Sequence, residues 1–242
     1  MFDAVVAKKA KMAAIIDGAG KQPREDLITS SLFGTLRFLS KSAQTKAMQA
    51  LVGPMIPEHS SIFLWPYLSG AKNAEPDVVI SLEDGSFWIV EVKWGASLGD
   101  DQIKREIDTV AFGRCRRGGL PVGPRKVAGY TLLGALDKHD EALNNAREAY
   151  SGRIELFSRR WVDVTETLRQ LAQQSDDNPG LAAWSKVAAD FLSGEPEGRV
   201  LGHWPDAFKM PPSCSYHFDF GHRFGPRDLV EVSACGFDFK GK

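Results

Sequence analysis

The chain has 242 residues, of which 43% are hydrophobic and 25% are charged, and its net charge at pH 7 is −1. This composition is enough for a full hydrophobic core and excludes a disordered chain, and the net charge excludes a generally basic nucleic-acid coat. No apolar run is long enough to cross a membrane, lysines interrupt the apolar stretch at the start, and the three cysteines form no spaced framework, so we expect a cytoplasmic protein without a membrane partner.

The first predicted element is a helix that begins near Pro23. Its apolar residues recur at helical spacing and form one stripe, which contains Leu27, Ile28, Leu32, Leu36 and Leu39. Glu25 lies three residues before Ile28, at the leading end of the stripe, and is therefore expected to point toward the sheet, with Asp26 as the second candidate. The alternative is that both acidic residues only stabilise the helix dipole.

Two buried strands joined by a tight turn come next. Residues 78–82 and 87–90 have the apolar composition of strands, and residues 83–86, with the sequence Glu-Asp-Gly-Ser, have the composition of a turn. Asp77 precedes the first strand, while Glu91 and Lys93 end the second. Since residues two apart on a strand share a face, Glu91 and Lys93 are predicted to lie on the same face.

The length of the turn decides whether Asp77 joins that face. A two-residue loop of Asp84 and Gly85 would oppose Asp77 to Val92 and turn it away from Glu91. A three-residue loop that ends at Gly85 in the left-handed conformation opposes Asp77 to Glu91 instead. We predict the three-residue loop, because glycine stands where that turn requires it.

The resulting group of side chains suits a hard divalent cation. Mg²⁺ takes oxygen ligands, and Asp77, Glu91 and the backbone carbonyl of Val92 offer three while leaving positions for water and phosphate. Lys93 can orient or help to deprotonate an attacking water and can stabilise the negative charge of the transition state. The alternative is a set of cross-strand charges without chemistry, although charges in an apolar strand are costly unless they are paired or coordinated.

Pro76-Asp77 and Glu91-Val92-Lys93, in a strand, turn and strand context, resemble the PD-(D/E)xK signature of the restriction-endonuclease-like nucleases. The resemblance covers about residues 20 to 135. It implies an α/β fold with a restriction-endonuclease-like mixed central sheet flanked by helices. It also implies an enzyme, a Mg²⁺-dependent endonuclease that hydrolyses phosphodiester bonds in DNA, with Mn²⁺ as a substitute metal and a bacterial restriction, repair or anti-phage defence setting.

The resemblance adds a further metal ligand. In this superfamily an acidic residue from the helix before the hairpin often completes the metal shell, and Glu25 matches that position. The implied metal ligands are therefore Asp77, Glu91, Val92 and Glu25.

A second helix is predicted after the hairpin. Asp100 or Asp101 can cap it, Gln102 opens it, and apolar residues at positions 103, 107, 110 and 111 keep helical spacing. In nucleases that resemble the RecB-like exonucleases, a glutamine in this helix supports the metal-bound water or contacts DNA, which makes Gln102 a candidate catalytic residue. Glu106 stands where that branch has a tyrosine, and an ordinary exposed glutamine is the alternative for Gln102.

Charge is distributed unevenly along the chain. Residues 104–126 contain two acidic residues, Glu106 and Asp108, and seven basic ones, namely Lys104, Arg105, Arg114, Arg116, Arg117, Arg125 and Lys126. The charged residues of the 161–198 segment are mainly acidic. This polarity predicts that the basic residues bind the phosphates of nucleic acid, most simply double-stranded DNA, whereas the alternative is a solvated loop over residues 114–117.

The remaining elements alternate as in an α/β sheet. Residues 127–133 are predicted as a core strand, 137–150 as a helix, 153–157 as a strand, and 162–173 and 181–192 as helices, with Asn178-Pro179-Gly180 as the break. We therefore expect a nuclease-like core over residues 1–192 and a small β-rich extension, packed on the core, over residues 193–242. In that extension a zinc site is an alternative, formed by Cys214, His217, His222 and Cys235.

The competing function is a non-catalytic subunit that uses the same fold to bind DNA or to assemble a larger complex. A degenerate relative would usually have lost one of Asp77, Glu91 and Lys93, and this chain retains all three. The low net charge leaves room for a protein partner that supplies DNA affinity or target choice.

Overall fold

The structure is a computed structural model that describes residues 24–53, 56, 58–99, 101–193, 232–233 and 236–237. The chain divides into two compact units, Met1–Gly202 and His203–Lys242. In the second unit the described residues form one antiparallel pair, in which Val232–Ser233 pairs with Gly236–Phe237. The four residues of the alternative zinc site lie outside the described residues.

A five-stranded mixed sheet forms the centre of the first unit. In chain order, the described strands of the whole first unit are β1 (His59–Leu64), β2 (Tyr67–Ser69), β3 (Val78–Leu82), β4 (Phe87–Val92), β5 (Arg114–Arg117), β6 (Val127–Leu133) and β7 (Glu155–Arg159). The large sheet has the order β1-β3-β4-β6-β7, antiparallel from β1 to β4 and parallel from β4 to β7. β2 and β5 form a separate antiparallel pair. The predicted α/β class with a mixed sheet is confirmed, and β4 is its middle strand.

Helices cover both faces of this sheet. The described helices are α1 (Arg24–Leu32), α2 (Lys41–Val52), α3 (Gln102–Phe112), α4 (Asp140–Ala149), α5 (Trp161–Gln173) and α6 (Pro179–Ser193), with 3-10 turns at Gly34–Phe38 and Asp137–His139. On one face Ile103 of α3 and Leu143 of α4 join the same core cluster as Ile89 and Tyr130. Thr131 points to the opposite face and donates to a carbonyl at the end of α2, which packs with α5 and α6. None of the helices in the described ranges is both long enough and apolar enough to cross a membrane.

Two helix boundaries differ from the predictions for local reasons. The first helix ends at Leu32 and continues as a 3-10 turn, because Gly34 is a weak helix former. Pro179 is the first residue of α6 and not part of a break between two helices, since a proline in the first turn loses no helical hydrogen bond. Asn178 Oδ1 completes that start by accepting a hydrogen bond from Leu181 N at 3.1 Å.

Other differences concern strands and a cap. The strand predicted over residues 153–157 begins two residues later, because Arg153 N donates to the Tyr150 carbonyl in the turn after α4. Residues 114–117 form a strand, which excludes the alternative of a solvated loop. Asp101 does not cap α3, because it adopts a left-handed φ of 53° and its side chain makes no capping hydrogen bond. Helix α2 and strands β1 and β2 had no counterpart in the sequence prediction.

The β3–β4 hairpin has the predicted three-residue loop. The paired residues run from Val78 opposite Val90 to Ser81 opposite Phe87. Gly85 has a φ of +79°, and its N–H donates to the Leu82 carbonyl at 3.1 Å. The register that brings Asp77 to the level of Glu91 is therefore confirmed.

His59 is a buried histidine at the start of β1. It is 1% exposed, and neither ring nitrogen has a hydrogen-bond partner among the described residues. Burial, assisted by the charge of Lys41, lowers the pKa of His59 from 6.5 to about 4. The folded state therefore keeps the neutral imidazole, and protonation favours the unfolded chain.

The stabilisation that follows from this shift is present above pH 6.5 and is lost as the pH falls toward about 4. Across that window His59 should lower the free energy of unfolding by about 1.4 kcal/mol for each unit by which the pH falls. His59→Leu is expected to remove this part of the pH dependence. Urea unfolding of both proteins between pH 4.5 and about 7.5 measures the difference, and parallel pH profiles would contradict the expectation.

Candidate functional site

The candidate site lies at the C-terminal end of β4. Glu91 is 4% exposed and Lys93 is 7% exposed, and Lys93 Nζ donates to Glu91 Oε1 at 2.7 Å. The two side chains that were predicted to share a face therefore form a direct ion pair. A buried ion pair is costly unless other groups satisfy its remaining hydrogen-bonding capacity.

Asp77 reaches the same strand end through its carboxylate. The β3–β4 ladder ends at Val78 opposite Val90, and Asp77 Oδ2 accepts a hydrogen bond from Val92 N at 2.9 Å. In an extended strand the N–H and the C=O of one residue point to the same side. The carbonyl of Val92 therefore points to the side on which Asp77 lies.

Glu25 brings a further carboxylate from α1. Its Oε1 accepts a hydrogen bond from Trp94 N at 2.8 Å, one residue beyond Lys93. Its negative charge also acts on Lys93. Glu25 was predicted to point toward the sheet, and this contact places its carboxylate beside the residue that follows Lys93.

Gln102 connects the strand to α3. Its Nε2 donates to Glu91 Oε1 at 2.5 Å and to Glu106 Oε1 at 2.8 Å. Glu106 in turn accepts a hydrogen bond from the hydroxyl of Tyr130 at 3.0 Å through Oε2. Gln102 is thus a partner of the site rather than an ordinary exposed residue.

Glu106 and Tyr130 were not predicted as site residues. Glu106 follows Gln102 by four residues, so both lie on the same side of the helix, and it stands beside the apolar residues at positions 103, 107 and 110. A carboxylate on that apolar side was the signal that could have identified it. Tyr130 lies inside a predicted core strand, where its hydroxyl requires a buried partner.

The carboxylates of the site repel one another. Burial, followed by the charge of Glu91, raises the pKa of Asp77 and the pKa of Glu106 well above their usual values. Burial alone would lower the pKa of Lys93, but the attraction of Glu91, with smaller contributions from Glu25 and Asp77, outweighs it and raises that pKa. Lys93 is therefore held as an ammonium ion among carboxylates.

The oxygen donors fit Mg²⁺, which usually binds one or two carboxylates together with water and substrate phosphates. Among the residues that the structure describes, no three His, Cys, Asp or Glu side chains are arranged to hold a metal ion. Glu25 is thus not assembled with Asp77 and Glu91 into the three-carboxylate shell that the resemblance implied. Oδ1 of Asp77, Oε2 of Glu91 and the Val92 carbonyl take no part in the hydrogen bonds above, and a dication would relieve the repulsion between the two acids.

The basic residues of the 104–126 segment differ in exposure. Arg105 is half-buried, and the exposed members are Lys104, Arg114, Arg116, Arg117 and Lys126. Arg125 is 6% exposed and donates to the carbonyls of Val110 at 2.6 Å and Gly113 at 3.0 Å. The structure contradicts its predicted contact with nucleic acid, because its guanidinium caps the end of α3 instead.

Strand β5 links the exposed arginines to the site. Arg117 forms an ion pair with Glu75, which lies two residues before Asp77. Arg116 Nε donates to Ser69 Oγ of β2 at 2.8 Å. The arginines therefore stand on a paired strand that is tied to the segment leading into the site.

The backbone of Lys93 is held from the other side. Trp161 Nε1 donates to the Lys93 carbonyl at 2.9 Å, and the rings of Trp161 and Trp94 have centroids 5.1 Å apart. In the loop after Trp94, Lys138 Nζ donates to the carbonyl of Gly95 at 2.6 Å, and His139 Nε2 lies 2.9 Å from the carbonyl oxygen of Ala96. Side chains that follow β6 in the sequence therefore fix the end of β4 and the loop after it.

Comparison of the chain with protein-family models gives no match, and comparisons with curated proteins and with solved structures give none either. The structure itself shows a mixed α/β sheet and, at the end of its central strand, an ion pair of Glu91 with Lys93 beside the Asp77 carboxylate, which is bonded to the backbone of Val92.

Gly134 should be indispensable for this arrangement. A Cβ at Gly134 would overlap the Lys93 carbonyl oxygen and Trp161 Nε1, and the backbone has a φ of +82°. Gly134→Ala is expected to cost about 2–5 kcal/mol, the sum of left-handed strain and overpacking. Gly85→Ala is the matched control, since φ there is +79° but a Cβ would meet no atom of the described part of the chain within 4 Å. Urea unfolding compares the two variants, and equal losses would contradict the close approach at Gly134.

Proposed function

We propose that the chain is a Mg²⁺-dependent nuclease of the PD-(D/E)xK type, which hydrolyses phosphodiester bonds in DNA as an endonuclease. The observation that carries the proposal is the convergence of Asp77, Glu91 and Lys93 at the buried end of the central strand. Titratable groups with pKa values perturbed by burial and by each other are typical of functional sites. The cytoplasmic location and the restriction, repair or defence setting stay predictions.

Each residue of the site has a distinct role in this proposal. Asp77, Glu91 and the Val92 carbonyl would hold Mg²⁺, which when bound polarises the phosphate and acidifies the attacking water. Lys93, kept protonated by Glu91, would stabilise the negative charge that develops on the phosphate. Gln102 donates to the same oxygen of Glu91 as Lys93 does, which leaves the second oxygen outside these bonds.

The exposed arginines of β5 support a polyanionic substrate. The ion pair between Arg117 and Glu75 connects them to the segment that leads into Asp77. Two residues of extended chain span at most about 7 Å. Phosphates bound along β5 would therefore pass close to the proposed site of hydrolysis, and backbone contacts of this kind position a nucleic acid without reading its sequence.

The test is a cleavage assay of the purified chain on circular and linear DNA, with and without Mg²⁺. Conversion of the circular substrate to open and linear forms in a Mg²⁺-dependent manner is the expected result. Degradation of linear DNA alone would make the enzyme an exonuclease. Binding without cleavage, in Mg²⁺ and in Mn²⁺, would replace the proposal by the non-catalytic DNA-binding subunit.

The assigned roles predict different effects for two substitutions. Asp77→Asn should weaken Mg²⁺ binding and cleavage together, because it removes a charged oxygen ligand. Lys93→Ala should leave Mg²⁺ affinity unchanged or raise it, since a neighbouring positive charge is removed, while kcat falls by about 100-fold, or about 3 kcal/mol. Calorimetric titration and single-turnover cleavage measure the two properties.

Asp108→Asn is the control for these variants, because Asp108 lies on the exposed side of α3. It should change neither Mg²⁺ affinity nor kcat. Equal loss of metal affinity in the Asp77 and Lys93 variants would contradict the separation of roles.

The β5 arginines generate a prediction about salt dependence. Replacement of Arg114, Arg116 and Arg117 by alanine should weaken duplex binding irrespective of sequence. The slope of log K against log salt concentration should flatten by roughly 0.9 for each phosphate that the protein no longer neutralises, or about 2.7 if all three arginines bind phosphates. Binding is measured across a salt series with Ca²⁺ in place of Mg²⁺, so that the duplex is still bound and cleavage is suppressed.

A second triple variant controls for net charge. Arg147, Arg153 and Arg169 are exposed on α4, on the turn after it and on α5, and their replacement by alanine makes the same change of charge. This variant should retain the wild-type salt slope. If both triple variants show the wild-type slope, the β5 arginines are ordinary surface residues.

A further inference from the structure

The orientation of the Gln102 side-chain amide is determined by three hydrogen bonds. Its Oε1 accepts from Gly99 N at 3.0 Å, and its Nε2 donates to Glu91 Oε1 at 2.5 Å and to Glu106 Oε1 at 2.8 Å. A carboxamide has two N–H donors, and both are used here. Rotation by 180° would place the amide oxygen against two carboxylate oxygens, so its neighbours permit only the observed orientation.

Glu106 is held in turn by the core of the protein. It is 3% exposed, and its second oxygen, Oε2, accepts the hydrogen bond from Tyr130. Tyr130 is fully buried on β6, where it pairs with Ile89 of the central strand. A continuous series of hydrogen bonds therefore runs from the core through Tyr130, Glu106 and Gln102 to Glu91.

Packing alone gives no reason for a carboxylate at position 106. The neighbouring positions on that side of α3, Ile103, Ile107 and Val110, are apolar and buried. A buried carboxylate close to Glu91 is electrostatically unfavourable, and an apolar residue of similar size is often at least as stable in such a place. The benefit of Glu106 therefore has to come from the groups that it contacts.

We propose that Glu106 and Tyr130 are positioning residues, which hold the Gln102 amide so that its N–H faces Glu91. Gln102 and Lys93 together engage Oε1 of Glu91, and two donors on one oxygen fix the rotation of that carboxylate. The effect on catalysis rests on the nuclease activity proposed above. The holding of the amide is a property of the chain itself and can be measured without a substrate.

The chain offers a matched pair of tyrosines for the test. Tyr130 donates to Glu106, and Tyr150 donates to Asp108 Oδ1 at 2.8 Å, so that both hydroxyls bond to a carboxylate of α3. Tyr130→Phe and Tyr150→Phe each remove one oxygen atom from a buried ring. A purely structural role would make the two substitutions equivalent at the site.

Two readouts are measured on the full chain: the ¹H–¹⁵N signals of the Gln102 side-chain amide, assigned with Gln102→Ala, and the kcat and KM of cleavage. Tyr130→Phe should shift these signals and accelerate exchange of the amide protons. It should also lower kcat by about 10-fold with KM unchanged, as is usual when a group that helps to orient a metal ligand is lost. Glu106→Leu should have a larger effect of the same kind. Glu106→Gln, whose oxygen can still accept from Gln102, should restore most of it, and Tyr150→Phe should change neither readout.

Two results would overturn the inference. One is that Tyr130→Phe matches Tyr150→Phe in both readouts, and the other is that kcat falls while the Gln102 amide signals stay as in the wild type. Tyr130→Phe keeps the test decisive if Glu106→Leu does not fold. If the wild-type chain cleaves no DNA, the nuclease proposal fails, and the amide signals still decide whether Tyr130 and Glu106 hold Gln102.

Discussion

The site depends on where the hydrogen-bonded pairing of β3 with β4 ends. Pairing stops at Val78 opposite Val90, but β4 continues, and the N–H groups of Val92 and Trp94 point to a side where none of the described strands pairs with them. Buried N–H groups need acceptors. Asp77 supplies one and Glu25 the other. The carboxylates that gather at this end of the sheet therefore also complete the backbone hydrogen bonding of the central strand.

The other edge of the strand end is fixed by ordinary pairing and by a tryptophan. Lys93 N donates to the Leu133 carbonyl of β6 at 2.8 Å, and the Lys93 carbonyl accepts from Trp161. With both its N–H and its carbonyl bonded, Lys93 can turn its long side chain back to Glu91 without moving the strand. This reduces the conformational freedom that the ammonium group must lose to remain in the buried ion pair. Acids on one edge and a fixed lysine backbone on the other are both consequences of the central position of β4.

The parts of the site that could be predicted from the sequence depend on local chemistry. The turn is an example, because Gly85 determines the loop type and the loop type sets the register that brings Asp77 to Glu91. The parts that could not be predicted depend on contacts between distant segments. Tyr130 and Glu106 are 24 residues apart on different elements, and a count of basic residues could not show that Arg125 would be used by the carbonyls of α3. Helix α2 and strand β1 were missed because neither has a clear apolar repeat: α2 is composed largely of alanine and polar residues, and β1 begins with three polar residues.

The same distinction explains the form of the basic surface. A solvated basic loop was the alternative interpretation of residues 114–117. Pairing with β2 makes them a strand with a bulge instead, in which Tyr67 pairs with Arg117 and Leu68 pairs with Cys115. Arg116 is the extra residue of the bulge, and a bulge changes the direction of side chains that strict alternation would turn inward. Cys115 faces the buried Leu68 and packs against the core, whereas the arginines on either side of it are exposed. A bulged strand can thus present three positive charges to solvent from four residues. Because the strand is already ordered, the phosphate binding proposed for it would cost less chain entropy than the same binding on a flexible loop.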